Sequence, residues 1–195
     1  MNLHRASLAG IVLSIAASFS AQAGTFVGSL GLNGAGVSQN GADLSVSTRV
    51  STTVGLLVLT GGSGDFSTIP FLTDYGATTL DLTNLSSFQF SNASWGSFIA
   101  NGPGDKILSQ SANILDVYLR GTFSPGTGQS GFSATDSSLL ISVNQSGSSL
   151  SEAITLNSPA LAAPGVVPEP ASIALAAIGL ASVGLVRVLR KRMGK

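Results

Sequence analysis

The chain has 195 residues, nine basic and nine acidic, with 24 glycines and no cysteine. The lack of cysteine excludes disulfides and thiolate metal sites, and it is compatible with export, since many exported bacterial domains fold without disulfides. Between Gly24 and Val167 eight acidic residues outnumber three basic ones, and the net charge of −5 repels phosphate backbones, so nucleic acid is not an expected partner.

The N-terminus begins Met1-Asn2-Leu3-His4-Arg5, continues into an apolar run over 8–19, and then reads Ala21-Gln22-Ala23. A basic start, a short apolar segment and a small-x-small site are the three parts of a secretory signal. About a dozen helical residues reach only ~18 Å, short of the ~30 Å hydrocarbon core. Residues 1–23 are therefore expected to act as a signal peptide for the Sec translocon. Signal peptidase would recognise Ala21 and Ala23 and leave Gly24 as the first mature residue.

Residues 24–157 are rich in Ser, Thr, Gly and Asn, with apolar residues in short alternating runs. Strands are expected over 25–30, 42–50, 54–59, 79–82, 87–91, 97–100, 106–108, 114–120, 139–145 and 150–156. In 42–50, Leu44, Val46 and Thr48 alternate with Asp43, Ser45, Ser47 and Arg49. The run over 54–59 is continuously apolar, as in a strand covered on both faces. Turn formers separate the runs, as in Gly61-Gly62-Ser63-Gly64-Asp65 and Asn101-Gly102-Pro103-Gly104-Asp105. No stretch sustains a helical period. The pattern predicts an all-β ectodomain, an antiparallel sandwich with a jelly roll as one form of it. Phe66, Phe71, Phe88, Phe90, Trp95, Phe98, Phe123 and Phe132 are expected to supply much of the core.

Catalytic chemistry has little to work with. The only histidine, His4, lies in the signal, so the mature chain has neither His nor Cys. That excludes Ser–His and Cys–His nucleophiles and ordinary zinc sites. Lys106, the one lysine between the two ends, reads as a turn residue after Gly-Pro-Gly-Asp rather than as half of a Ser–Lys dyad. A carboxylate-based glycoside hydrolase would need two acids, such as Asp116 and Asp136, in one cleft. No cofactor is expected. Structural calcium stays open through Asp74, Asp105, Asp116 or Asp136, with no assignable ligand set, and the single Gly61–Asp65 run is too short for a calcium repeat. A carbohydrate- or ice-binding module is the other rival, although the aromatics are scattered and Thr78-Thr79 is isolated.

Residues 158–167 read as a Pro/Ala linker. Residues 168–195 form the tail, with an apolar helix expected over about 171–189. Residues 171–186 carry no charge, and extension to Leu189 gives ~28 Å if Arg187 snorkels toward the interface. Arg187, Arg190, Lys191, Arg192 and Lys195 lie beyond the apolar run, against Glu169 before it. The positive-inside rule places this basic anchor in the cytoplasm and the ectodomain outside. The signal peptide demands the same single-pass, inner-membrane topology.

Val167-Pro168-Glu169-Pro170, one apolar helix and a terminal Arg/Lys cluster, in that order over about the last 30 residues, resemble the PEP-CTERM sorting signal of Gram-negative-type bacteria. Two departures are Arg187 within the helix end and Met193-Gly194-Lys195 after the cluster. The stretch 117–159 also resembles the β-rich region common upstream of such tails. The resemblance implies exosortase, an integral-membrane transpeptidase-like enzyme, as a partner, in bacteria that make exopolysaccharide. It thus implies an exported, non-enzymatic surface or matrix protein linked to exopolysaccharide or biofilm and released after processing. Tails of this type also give their name to ice-binding proteins, but nothing in this one would bind ice. The prolines keep 167–170 out of the helix, and Glu169 is its one ionisable recognition handle.

Overall fold

The computed structural model describes residues 23–164. The signal segment before Ala23, the helix expected over 171–189, the motif at 167–170 and the basic anchor lie outside the described residues. Among the described residues no helix is long and apolar enough to cross a membrane.

Eleven strands form among the described residues: β1 (Gly24–Thr25), β2 (Gly28–Gln39), β3 (Arg49–Leu57), β4 (Thr78–Asp81), β5 (Gln89–Asn92), β6 (Gly96–Ala100), β7 (Lys106–Gln110), β8 (Ile114–Ser124), β9 (Phe132–Ser133), β10 (Thr135–Ser146) and β11 (Ser149–Ser158). The domain is all-β, as its short alternating runs predict. Nine strands make one antiparallel sheet in the order β4-β3-β2-β11-β10-β8-β6-β5, with β7 also on β8. β6 and β7 lie end to end along one edge of β8, separated by the 101–105 turn. β1 and β9 add a two-residue parallel ladder.

The antiparallel all-β domain expected from the sequence takes the form of a nine-stranded sheet curled into a near-barrel. Its core lines one continuous inner face. Leu119, Leu139, Leu156 and Leu30 are register partners across β8, β10, β11 and β2, and Val117, Ile141, Ile154 and Leu32 form the next row. All eight are buried. The curl is helped by a bulge between Ala35 and Val37 in β2, where Gly36 adopts φ 67 and Gly55 of β3 adopts φ 154, since a bulge increases local twist. The sheet's two ends meet through side chains. The Thr78 hydroxyl donates to the Gln89 carbonyl (2.9 Å), and the Asn92 amide donates to the Asp74 carbonyl (2.9 Å).

Three strand-level expectations need correction. Residues 42–48 form a loop, because local polar bonds outcompete the ladder: Asn40 Oδ1 accepts from the Thr48 and Arg49 amides, and Asp43 Oδ1 accepts from the Ser45 amide. Leu44 plugs the core from this loop while Val46 is exposed. The 54–59 run is not covered on both faces, since Val54 and Leu59 are exposed. β2 runs much further than the expected 25–30 strand, through a glycine-rich stretch with little apolar alternation.

Seven of the eight expected core aromatics are buried or pack against the core. Phe71 is the exception, 66% exposed at the tip of a turn. There the Leu72 amide donates to the Val58 carbonyl and the Thr73 amide to the Pro70 carbonyl. Leu72 has φ 63, a left-handed conformation that costs a branched side chain about 1–2 kcal/mol. Leu72→Asn is expected to raise stability by roughly 0.5–1 kcal/mol, since Asn tolerates that region. The readout is the denaturant midpoint. A lower midpoint would mean that the exposed leucine holds the turn in place.

Candidate functional site

The third row of the barrel interior breaks the apolar pattern. Leu115, Val143, Glu152 and Gly34 are register partners across β8, β10, β11 and β2. Glu152 points inward and is 4% exposed, and its Oε2 has no hydrogen-bond partner among the described residues. Gly34 leaves the space it occupies. A Cβ at Gly34 would come within 2.9 Å of Glu152 Cβ and 2.8 Å of Thr52 Cγ2. Burial in this apolar row pushes the Glu152 carboxyl up to about 7, so it holds its proton in mildly acidic medium. Sequence alternation carried the signal for this residue: Leu150, Glu152, Ile154 and Leu156 share one face of β11.

A second feature lies on the outer face, where the chain leaves the sheet. Ser158 ends β11, and 159–164, the first part of the segment read as a linker, turns back as a strap over β10 and β8. The Ala160 amide donates to the Asp136 carbonyl (2.9 Å) and the Leu161 amide to Ser138 Oγ (2.9 Å). The Tyr118 hydroxyl donates to the Leu161 carbonyl (2.5 Å). Tyr118 and Ser138 point outward from the sheet, yet both are buried, at 4% and 2% exposure. At the strap's end Pro164 borders a groove of about 640 Å³ beside Lys106, Ile107, Leu108, Asp116 and Leu140.

The acidic residues weighed from the sequence are dispersed. Asp116 is the register partner of Ser142 and accepts from its hydroxyl (2.7 Å), while Asp136 is the partner of Thr122 and pairs with Arg120. The ladder thus sets the two aspartates six residues apart, roughly 20 Å, well beyond the ~5–10 Å used by paired glycosidase carboxylates. Asp74 Oδ1 accepts from the Gly76 amide within its turn. Asp105 Oδ1 accepts from the Arg120 amide, and desolvation raises its carboxyl despite that bond. Among the described residues no three His, Cys, Asp or Glu side chains converge to hold a metal ion. Lys106 begins β7 and lines the groove, without a carboxylate partner among the described residues.

Of the processing residues, Ala23 is exposed, immediately before β1. Ala21 lies outside the described residues, as do Val167, Pro168, Glu169 and Pro170 and the anchor residues Arg187, Arg190, Lys191 and Arg192. The family model of the PEP-CTERM protein-sorting motif matches residues 166–192, which span all eight of these tail residues. No curated protein and no solved structure matches the chain. The motif implies an exported protein that is held at the membrane and then processed, with exosortase as its processing partner.

Proposed function

We propose that this chain is a non-enzymatic surface or extracellular-matrix protein, exported through its N-terminal signal and delivered to exosortase by its C-terminal tail. The motif match over 166–192 carries this reading. An apolar stretch over 171–189 halts export as a single inner-membrane helix. Arg187, Arg190, Lys191 and Arg192 hold its end in the cytoplasm. Pro168 and Pro170 keep Glu169 on an extended backbone at the outer boundary, open to an enzyme cleft. The near-barrel is the cargo. Its dispersed aspartates and the lack of His and Cys in the mature chain support a binding or scaffolding role, and exopolysaccharide is the partner class that fits the exosortase setting.

Mass spectrometry of both protein termini, in cells with and without exosortase, tests this. In the competent strain the chain is expected to begin at Gly24 and to have lost Lys195, while the strain without exosortase keeps Lys195. Glu169→Ala is expected to reduce tail loss at least tenfold in the competent strain. Retention of Lys195 in both strains would leave a plain membrane-anchored protein and overturn the processing reading.

A further inference from the structure

We infer that the turn over 66–73 is a second point of contact with the bilayer, where Phe71 and Leu72 enter the interfacial layer of the outward-facing leaflet. The inference rests on the membrane-held reading above and adds to it a surface of the folded domain.

Three observations carry it. First, the turn presents large apolar side chains at a conformational cost. Phe71 is 66% and Leu72 57% exposed, and Leu72 holds φ 63, where asparagine would be less strained. A strained residue whose side chain stands in solvent adds little to the core, and that combination points to a contact outside the domain. Leu59, 43% exposed, follows Val58, whose carbonyl accepts from the Leu72 amide (2.9 Å), so a third apolar side chain borders the turn.

Second, the turn suits an apolar medium. Residues 66–73 carry no charge. The amides of Ile69, Leu72 and Thr73 donate to the carbonyls of Phe66, Val58 and Pro70, the Thr73 hydroxyl donates to the Pro70 carbonyl (2.8 Å), and Pro70 has no N–H. Unbonded backbone groups are what makes an irregular segment costly near hydrocarbon, and here most are bonded within the domain. The flanking carboxylates are tied down at the base of the turn. Asp65 Oδ2 accepts from the Val27 amide (2.8 Å) and Asp74 Oδ1 from the Gly76 amide (2.7 Å).

Third, the tether keeps the domain at the bilayer. Pro164 lies beside Leu140, and the chain from there to the apolar stretch beginning at 171 extends at most ~25 Å, whereas β2 alone is ~40 Å long. The turn is bonded just past the end of β3, in the half of the barrel where β2 begins and β11 ends. The chain leaves the sheet in that same half, since Ser158 is the register partner of Gly28.

The chain has no cysteine, so single fluorescent labels can be placed in the full-length protein reconstituted into vesicles of 3:1 phosphatidylethanolamine to phosphatidylglycerol. Leu72→Cys carries the label at the turn. Ile114→Cys is the control, because Ile114 is 44% exposed and begins β8, ~30 Å along that strand from Phe123. Lipids bearing a nitroxide on the acyl chain are expected to quench the Leu72 label at least threefold more than the Ile114 label. Phe71→Asp, which puts a charge on the exposed turn and leaves the core untouched, is expected to bring the Leu72 label down to the control. Equal quenching at the two positions in a chain that floats with the vesicles overturns the contact and leaves the membrane-held reading standing. A Leu72 label that reports apolar surroundings without lipid quenching also overturns it, by assigning the turn to a second copy of the chain. A chain that stays in the soluble fraction overturns both the contact and the membrane-held reading.

Discussion

Glu152→Gln is expected to flatten the pH dependence of stability between about pH 5 and about pH 8 and to stabilise the protein at the alkaline end. The Glu152 carboxyl rises from 4.5 to about 7 because the apolar third row of the barrel desolvates it. Over that interval the folded chain keeps a proton that the unfolded chain releases. Folding therefore loses stability as pH rises from about 4.5, and the loss levels off above about 7. The difference corresponds to roughly 3 kcal/mol at the plateau. Glutamine fills the same space beside Gly34 without ionising, so the variant should match the native protein near pH 4 and exceed it near pH 8 by about 2–3 kcal/mol. Denaturant unfolding at a series of pH values reads this directly. Asp105 is also raised by burial, but it is present in both proteins, so the difference between the two curves isolates Glu152. Parallel curves would mean that Glu152 is hydrated or paired in solution.

Phe26→Ala should be the most damaging single truncation near the predicted mature N-terminus. Phe26 is fully buried, with ring centroids 4.6 Å from Phe66, 5.2 Å from Phe123 and 4.9 Å from Phe132. Those rings come from the 3-10 turn at Gly64–Thr68, from β8 and from β9, so one side chain joins three distant parts of the chain. Phe→Ala in such a site removes transfer energy and leaves a cavity, a loss of about 3–5 kcal/mol. For a domain without disulfides that is a large share of a total of roughly 5–15 kcal/mol. A shift in the denaturant midpoint measures it, and a loss under about 1 kcal/mol would show that the ring does not lock the N-terminal segment onto the barrel. The Phe26 amide also donates to Thr135 Oγ1 (3.1 Å), so the backbone has a second attachment that the variant keeps.

The long strands were legible from alternation. β8, β10 and β11 alternate apolar residues over most of their middles, with Glu152 the break in β11, and the expected runs fall inside the observed elements. β2 was legible only at its start. Beyond Leu32 it reads Asn33-Gly34-Ala35-Gly36, and nothing local in those residues favours a strand. They pair because β3 and β11 lie on either side and supply the ladder. The 42–48 stretch shows the converse. Its alternation is real, but Asp43 and Asn40 offer the backbone nearer partners than another strand does.

By itself the sequence determined the strand content of the middle and carried the sorting-motif match over 166–192. Charge, apolar length and proline placement act locally, so they are read without knowing what else is nearby. The tertiary structure alone decided that nine strands curl into a near-barrel, that Asp116 and Asp136 stay apart, that Glu152 is buried in the core, and that 159–164 lies on the barrel wall. Each of these depends on register between strands far apart in the chain. A period of two says which face a side chain takes and leaves open which strand it will meet.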